Sequence, residues 1–554
     1  MESYNGIYQG TKPRVENKSS NFLVQGSILA AASILVRIIG VVYRIPLTYL
    51  IGDEGMGYYG YAFNIYNIAL ILSSYSLPLA VSKLVASRDA KKQYKNSYLV
   101  FLCALGFAIA TGTAFSLLLY FGADFFAVII SKQPAVAIPL RVLAPTILVF
   151  AIMGVLRGFF QGKKTMLPTS ISQVIEQIVN AVVSIVAAYF LVKNHSVSDK
   201  MAAYGAAGGT LGTLIGAIAS LIFLAFIFSL YKPIVDKQLR KDKGALQETI
   251  PDILKVFGFT VLPVILSQTV YNISSLIDGS VFSYVLAGKG LADTQRSALW
   301  GIYSNKYNIL VNVPISIASA MAVAIVPSIV ASREEGSHHL VKEKINDSIK
   351  FNMLIAIPSA FGIGALASPI LKLIFGDGSE LPARMLTLGS IAIVFYALST
   401  LTNAVLQGIN KMHLPVIHSV IALGVHIIVL YVLLEVFNMG AYALVVSNVV
   451  FALIVSILNW ISVARLLNYK QEIKKTFLIP AGCSVFMAGV AYLVYWLVYN
   501  AIHSNAISTL LAIIVAMIVY AVLLLLFKDV SETELIKMPM GRTLARIAVK
   551  FHLL

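Results

Sequence analysis

A run of about 20 mainly apolar residues leaves a polypeptide few options, because such a run is long enough to cross a bilayer as a helix. This chain repeats the pattern. We read fourteen such runs, roughly at 22–50, 56–86, 97–122, 137–161, 167–192, 203–230, 252–285, 302–331, 349–376, 383–408, 414–436, 440–466, 476–499 and 506–527. In hydrocarbon, backbone N–H and C=O groups must be satisfied within the segment, which leaves helices or closed barrels. The runs are continuous rather than alternating, so helices are expected. Only 12% of residues are charged, against about 25% for a soluble domain, and the mean hydropathy is +0.84. The chain is therefore read as an all-α polytopic membrane protein.

The formal net charge is +17, but the basic residues sit in short blocks between apolar runs, with no single basic face for a nucleic acid. Their distribution follows the positive-inside rule. With the N-terminus inside, the inner segments hold Lys12, Arg14, Lys18, Arg88, Lys91, Lys92, Lys95, Lys163, Lys164, the block from Lys232 to Lys243, Arg333, Lys342, Lys344, Lys411, Arg465, Lys470, Lys474, Lys475 and a basic tail. The outer loops hold Lys132, Lys193, Lys200, Lys289 and Arg296. Both termini are thus expected in the cytoplasm. The first run is too long for a signal peptide and lacks a cleavage site. Cys103 and Cys483 each lie in an apolar run, with no disulfide framework or metal spacing.

The longest inner connection, YKPIVDKQLRKDKGALQETI, follows the sixth run and reads as a joint between two halves. An internal repeat supports that division. The fourth run ends GVLRGFFQGKKTMLP and the tenth LTNAVLQGINKMHLP; each has a Gln-Gly pair, a Lys-containing turn and then Leu-Pro. The organisation expected is a cytoplasmic tail (1–21), an N-lobe of helices 1–6 (22–230), a basic cytoplasmic linker (231–251), a C-lobe of helices 7–12 (252–467), helices 13–14 (476–527) and a basic cytoplasmic tail (528–554). Because six is even, the halves have parallel orientation, related by an axis along the membrane normal.

An ionisable group at mid-bilayer costs about 2.5–3.5 kcal/mol even on insertion scales, so each such residue should face a cavity or a partner. In the first run Arg37 and Arg44 are seven residues apart, about 20° around a helix. Two guanidiniums on one face suit an anion clamp; snorkelling to an interface is the alternative, and the reading preferred for Arg157. Gln173, Glu176, Gln177 and Asn180 form one stripe, and Gln268, Asn272, Ser275 and Asp278 another. Lys306 lies among Asn305, Asn308 and Asn312. Interhelical packing explains the amides equally well; for Glu176, Asp278 and Lys306 a cavity is the preferred reading. His418 and His426, eight apart on one run, are read as structural hydrogen-bonding groups. There is no nucleophile elbow, phosphate-binding glycine loop or extramembrane domain, so no enzyme, cofactor or metal is expected.

The stretch LVRIIGVVYRIPLTYLIGDEGMGYYGYAFNIYNIALILSSYSLPLAVSKLVASR, with RGFFQG, SSLID, VPSIVAS and LQG further on, resembles the stage V sporulation protein B group of polysaccharide-biosynthesis transporters. That group belongs to the multidrug/oligosaccharidyl-lipid/polysaccharide exporter superfamily, with the MurJ-type lipid II flippases and the multidrug extruders. The resemblance implies two pseudo-symmetric six-helix lobes about an alternately opening cavity, a MATE-like fold, with two further C-terminal helices. It implies a cationic cavity holding a pyrophosphate-sugar headgroup. Arg37 falls on one flippase arginine position, Arg44 one residue from the next, and Lys306 about one turn before a third.

The expected function is flipping of an undecaprenyl-pyrophosphate-linked oligosaccharide, first of all lipid II, across the cytoplasmic membrane. The alternatives are a flippase for teichoic acid, capsule or exopolysaccharide units, a multidrug antiporter, and a non-transporting cell-wall scaffold. The expected cavity residues are Arg37, Arg44, Glu176, Asn180, Asp278, Lys306 and Asn308. The partners are the anionic lipid-linked substrate, membrane lipids, a sodium or proton coupling ion and cell-wall synthesis proteins.

Overall fold

The structure, a computed structural model, describes residues 18–242 and 248–529. Its described secondary structure is helical throughout. In chain order the helices are α1 (Lys18–Val42), α2 (Arg44–Leu70), α3 (Leu77–Ala90), α4 (Tyr94–Phe121), α5 (Ala123–Ser131), α6 (Ala137–Gly162), α7 (Leu167–Asn194), α8 (Met201–Lys241), α9 (Ile250–Gly288), α10 (Asp293–Gly301), α11 (Asn308–Glu334), α12 (His338–Ala365), α13 (Ala367–Phe375), α14 (Glu380–Gly389), α15 (Ala392–Gly408), α16 (His413–Glu435), α17 (Ala441–Leu467), α18 (Ile479–Ile502) and α19 (Asn505–Leu526). Wider π-helical turns join α2 to α3 and α10 to α11.

Ten described segments are long and apolar enough to cross a membrane, and α14 with α15, bent by 42°, makes an eleventh. The chain is a multi-pass membrane protein. All fourteen runs fall on helix, but several are broken. The first run divides at Tyr43, and α2 is interrupted between the first and second runs at Gly52, whose φ of 68° and ψ of 179° suit glycine. The second comprises the rest of α2, a π-turn and α3, which has Pro78 in its first turn. The stretch 231–241, read as linker, continues α8 with Pro233 inside it; the linker residues 243–247 lie outside the described residues, as do most of both tails.

The halves repeat in detail. The short helices α5 and α13 each follow a long one and end on a left-handed residue, Lys132 and Gly376. After the two Gln-Gly pairs, Lys164 and Asn410 have φ of 60° and 62°. A Cβ on Gly162 would lie 2.8 Å from the Val85 side chain of α3, and one on Gly408 would lie 3.0 Å from Ile329 of α11. Each repeat thus uses its glycine to bring one helix end against a neighbour.

The lobes meet along α2, α9 and α10. The first half of α9 packs on the N-lobe, with Phe257 edge-on to Phe107 at 5.3 Å, and its second half reaches α16 of the C-lobe. Helices α2 and α10 are in backbone contact: a Cβ on Gly57 would lie 1.9 Å from the Ser297 carbonyl oxygen, and one on Gly301 2.0 Å from that of Asp53. The final pair, α18 and α19, packs on α12 and α13.

Candidate functional site

A cavity of about 410 Å³ lies between the lobes, in the half of the bundle nearest Gly52. The N-lobe contributes Arg44, Tyr59, Phe63 and Asn64 from α2. The C-lobe contributes Ser274, Ser275 and Asp278 from α9, Trp300, Tyr303, Ser304 and Asn305 from α10 and the turn after it, Asn308 and Asn312 from α11, Tyr396 from α15 and Asn448 from α17. The lining is mostly amides, hydroxyls and aromatic rings, with Arg44 and Asp278 as its charged side chains.

Arg44 is the first residue of α2, directly after Tyr43. Its guanidinium lies 5.8 Å from the centre of the Tyr59 ring, and its buried Nε has no hydrogen-bond partner. The Tyr59 and Tyr43 hydroxyls are 3.0 Å apart. Thr48 Oγ1 donates to the Arg44 carbonyl at 2.6 Å and accepts from Asn305 Nδ2 of the other lobe at 2.7 Å. The Asn305 Oδ1 and Trp300 Nε1 are buried without partners. Unsatisfied buried polar atoms are costly, and here they border a cavity that a polar ligand could fill. Further along, Asn64 Nδ2 donates to the Ser275 carbonyl at 3.0 Å and Asn67 Nδ2 to Asn272 Oδ1 at 3.4 Å.

The expected residues divide into three groups. Arg44, Asp278 and Asn308 line the cavity, with Asp278 also hydrogen-bonded to His426. Arg37 does not join Arg44 on the lining: it lies on α1, which ends at Val42, and it is exposed, whereas Arg44 opens α2 and lines the cavity. Glu176 and Asn180 lie within the N-lobe rather than on the lining. Glu176 accepts from Arg157 Nη2 at 2.8 Å, and Arg157 also donates to Ser172 and Ser220 at 3.0 and 3.1 Å. So Arg157, read as snorkelling, is instead held in this cluster. Asn180 Oδ1 accepts from Ser184 Oγ at 3.0 Å.

Lys306 is buried and turned away from the lining. Its Nζ donates to Asp53 of the N-lobe at 2.7 Å and to Asp377, beyond α13, at 2.5 Å. This three-residue clasp ties the lobes at the Gly52 end. Burial pushes the Asp377 carboxyl up, but hydrogen bonds from Lys306 and Ser379 outweigh it and hold the group below the usual carboxylate range. Asp53 and Asp377 escaped sequence reasoning because loop carboxylates are ordinary; the available signal was a buried lysine in want of a counter-charge. Among the described residues no group of three or more His, Cys, Asp or Glu is disposed to hold a metal.

Two helical lobes enclosing a polar cavity, with two accessory helices alongside, define a multi-pass transporter rather than an enzyme. Residues 23–332 match the family described as polysaccharide biosynthesis protein, more than half of the chain, and the protein belongs to that family. Residues 263–432 also match the MatE family. The chain is 26% identical to stage V sporulation protein B of Bacillus subtilis, over 95% of this chain and 99% of that one. It is 28% identical to the lipid II flippase MurJ of the same organism, over 74% and 77%. Among solved structures, the lipid II flippase MurJ in an inward closed conformation superimposes with a TM-score of 0.65 at 18% identity, covering 90% of this chain and 99% of that one.

Proposed function

We propose that the protein flips a lipid-linked oligosaccharide with an anionic diphosphate headgroup across the bacterial cytoplasmic membrane, and that its first substrate is lipid II. The observation that carries this reading is Arg44, a guanidinium with an unused buried donor in a cavity otherwise lined by amides, hydroxyls and aromatic rings. A guanidinium fork matches diphosphate oxygens, while amides and ring faces suit the hydroxyls and apolar faces of sugars. The likeness to a lipid II flippase names the first candidate.

The cycle follows from the architecture. The clasp of Asp53, Lys306 and Asp377 closes the cavity at the Gly52 end, which is the outer end when both termini are cytoplasmic. The headgroup enters from the inner leaflet, Arg44 binds its diphosphate, the clasp parts and the lobes rock to release it outward. A volume of about 410 Å³ is at the small end for ligand sites, so the lobes must separate to admit a complete headgroup. An anion leaving an inside-negative cell is helped by the membrane potential, about 2.3 kcal/mol per charge per 100 mV.

The test is rescue of cells depleted of their own lipid II flippase, with an assay for lipid II exposed on the outer leaflet. Wild-type protein should restore exposure. Arg44→Ala, expressed equally, should reduce it at least about tenfold, the equivalent of one lost charged hydrogen bond of about 1.5–3 kcal/mol. No rescue by well-expressed wild-type protein would remove lipid II as the substrate. The likeness to stage V sporulation protein B over nearly the whole chain favours, as a second reading, the same transport during sporulation.

A further inference from the structure

Asp278 and His426 form a contact that anion binding leaves unused. Both are buried, at 4% and 1% exposure, and His426 Nε2 lies against Asp278 Oδ1. The contact joins α9 to α16, and Asp278 also lines the cavity. His426 Nδ1 is 2.8 Å from the Ser447 carbonyl on α17.

This geometry fixes the proton count. A carbonyl only accepts, so Nδ1 carries a hydrogen. Neither a bare imidazole nitrogen nor a carboxylate oxygen can donate, so the contact at Nε2 holds one proton. On nitrogen it makes an imidazolium–carboxylate pair; on oxygen it makes a neutral acid beside a neutral imidazole. Both forms are net neutral. Without that proton, a nitrogen lone pair faces a buried carboxylate, the unit carries one negative charge, and the contact between α9 and α16 becomes repulsive.

Among the described residues, the pair has no other ion-pair partner. Helix α17 adds the Ser447 carbonyl and the Phe451 ring, edge-on to His426 at 5.8 Å. The phenols of Tyr303, after α10, and Tyr396 of α15 lie within electrostatic range of Asp278. Across the cavity from α2, the charged lining group is Arg44.

We infer that Asp278 and His426 form a proton-binding site, loaded from and emptied into cavity water, whose occupancy is linked to anion binding at Arg44. With the proton on, the pair is neutral and Arg44 leaves the cavity one positive charge. With it off, Asp278 offsets Arg44. An anion therefore binds better to the loaded form and, by reciprocity, draws a proton in. The linkage rests on the anion-holding reading of Arg44; the proton site does not.

Two arms separate these. In the first, the histidine-15N-labelled protein in lipid bilayers is followed by NMR without ligand between about pH 5 and 9. One signal, absent in His426→Gln, should change protonation, and its titration should move in Asp278→Asn, where the amide can donate to Nε2 and keep the contact without a mobile proton. A His426 signal indifferent both to pH and to Asp278→Asn would overturn the site. The second arm measures binding of UDP-N-acetylglucosamine between about pH 5 and 8, a range over which the charge of this diphosphate diester is constant. Affinity should fall at least about fivefold as pH rises in the wild type and become independent of pH in Asp278→Asn. A pH-independent wild type would overturn the linkage. No binding at any pH would overturn the anion site and the linkage together, leaving the first arm to decide the proton site.

Discussion

Glu176 shows what a carboxylate in an apolar helix demands. Its side chain is largely buried, and Arg157 supplies the charge that makes this tolerable. If the pair serves packing alone, Arg157→Met strands Glu176 and should cost about 3 kcal/mol, whereas Arg157→Met with Glu176→Leu should recover most of it. Thermal unfolding in detergent gives the cycle, and flipping by the double variant shows whether either charge is used in transport. The sequence made it legible that Glu176 needed a partner, because the cost of a lone charge is a property of its helix alone. It did not make Arg157 that partner, because the match depends on the relative rotation of α6 and α7. Arg37 and Arg44 illustrate the converse. Their seven-residue spacing places both on one face, yet Arg37 is exposed on α1 while Arg44, which opens α2, lines the cavity; spacing fixes a face but not what that face meets along its length.

Between elements, the tightest contact is α2 against α10, where neither Gly57 nor Gly301 has room for a Cβ. These glycines lie on opposite lobes and at the end closed by the Lys306 clasp. Gly301→Val should therefore act on the conformational balance as well as on stability, since added volume there can be relieved by parting the lobes. Spin labels at Phe121 and Leu388, both exposed near that end, should report a longer distance in Gly301→Val than in the parent. An unchanged distance with normal folding would mean that α2 and α10 move as one body. The helices themselves were legible, since hydropathy records length and apolarity. Their interruptions were not. Short α5 and α13 are below spanning length, and α9 and α11 carry enough polar side chains to blur their ends.

Across the whole molecule, the repeated turns at Lys164 and Asn410 and the matching caps of α5 and α13 give each lobe a similar frame, yet the polar residues are distributed unequally. The buried Arg157 and Glu176 neutralise each other within the N-lobe. The C-lobe keeps Asp278 with His426 at the cavity and sends Lys306 across to Asp53. If the lobes rock as proposed, the Lys306 clasp between them must open, while the Glu176 pair lies within one lobe and can stay intact. Lys306→Ala leaves two carboxylates facing each other and should destabilise the closed arrangement by about 3 kcal/mol, seen as a longer distance between the same label sites. The exchange Asp53→Lys with Lys306→Asp keeps one cation between two acids and should restore closure, together with transport if the clasp is a gate. Because Asp377 is held below the usual carboxylate range, its share of the contact should persist above the ordinary carboxylate pKa of about 3.9 and be lost only as pH falls through its lowered value. Failure of the exchange to restore closure, with both chains folded, would place Lys306 among the fixed supports of the C-lobe instead.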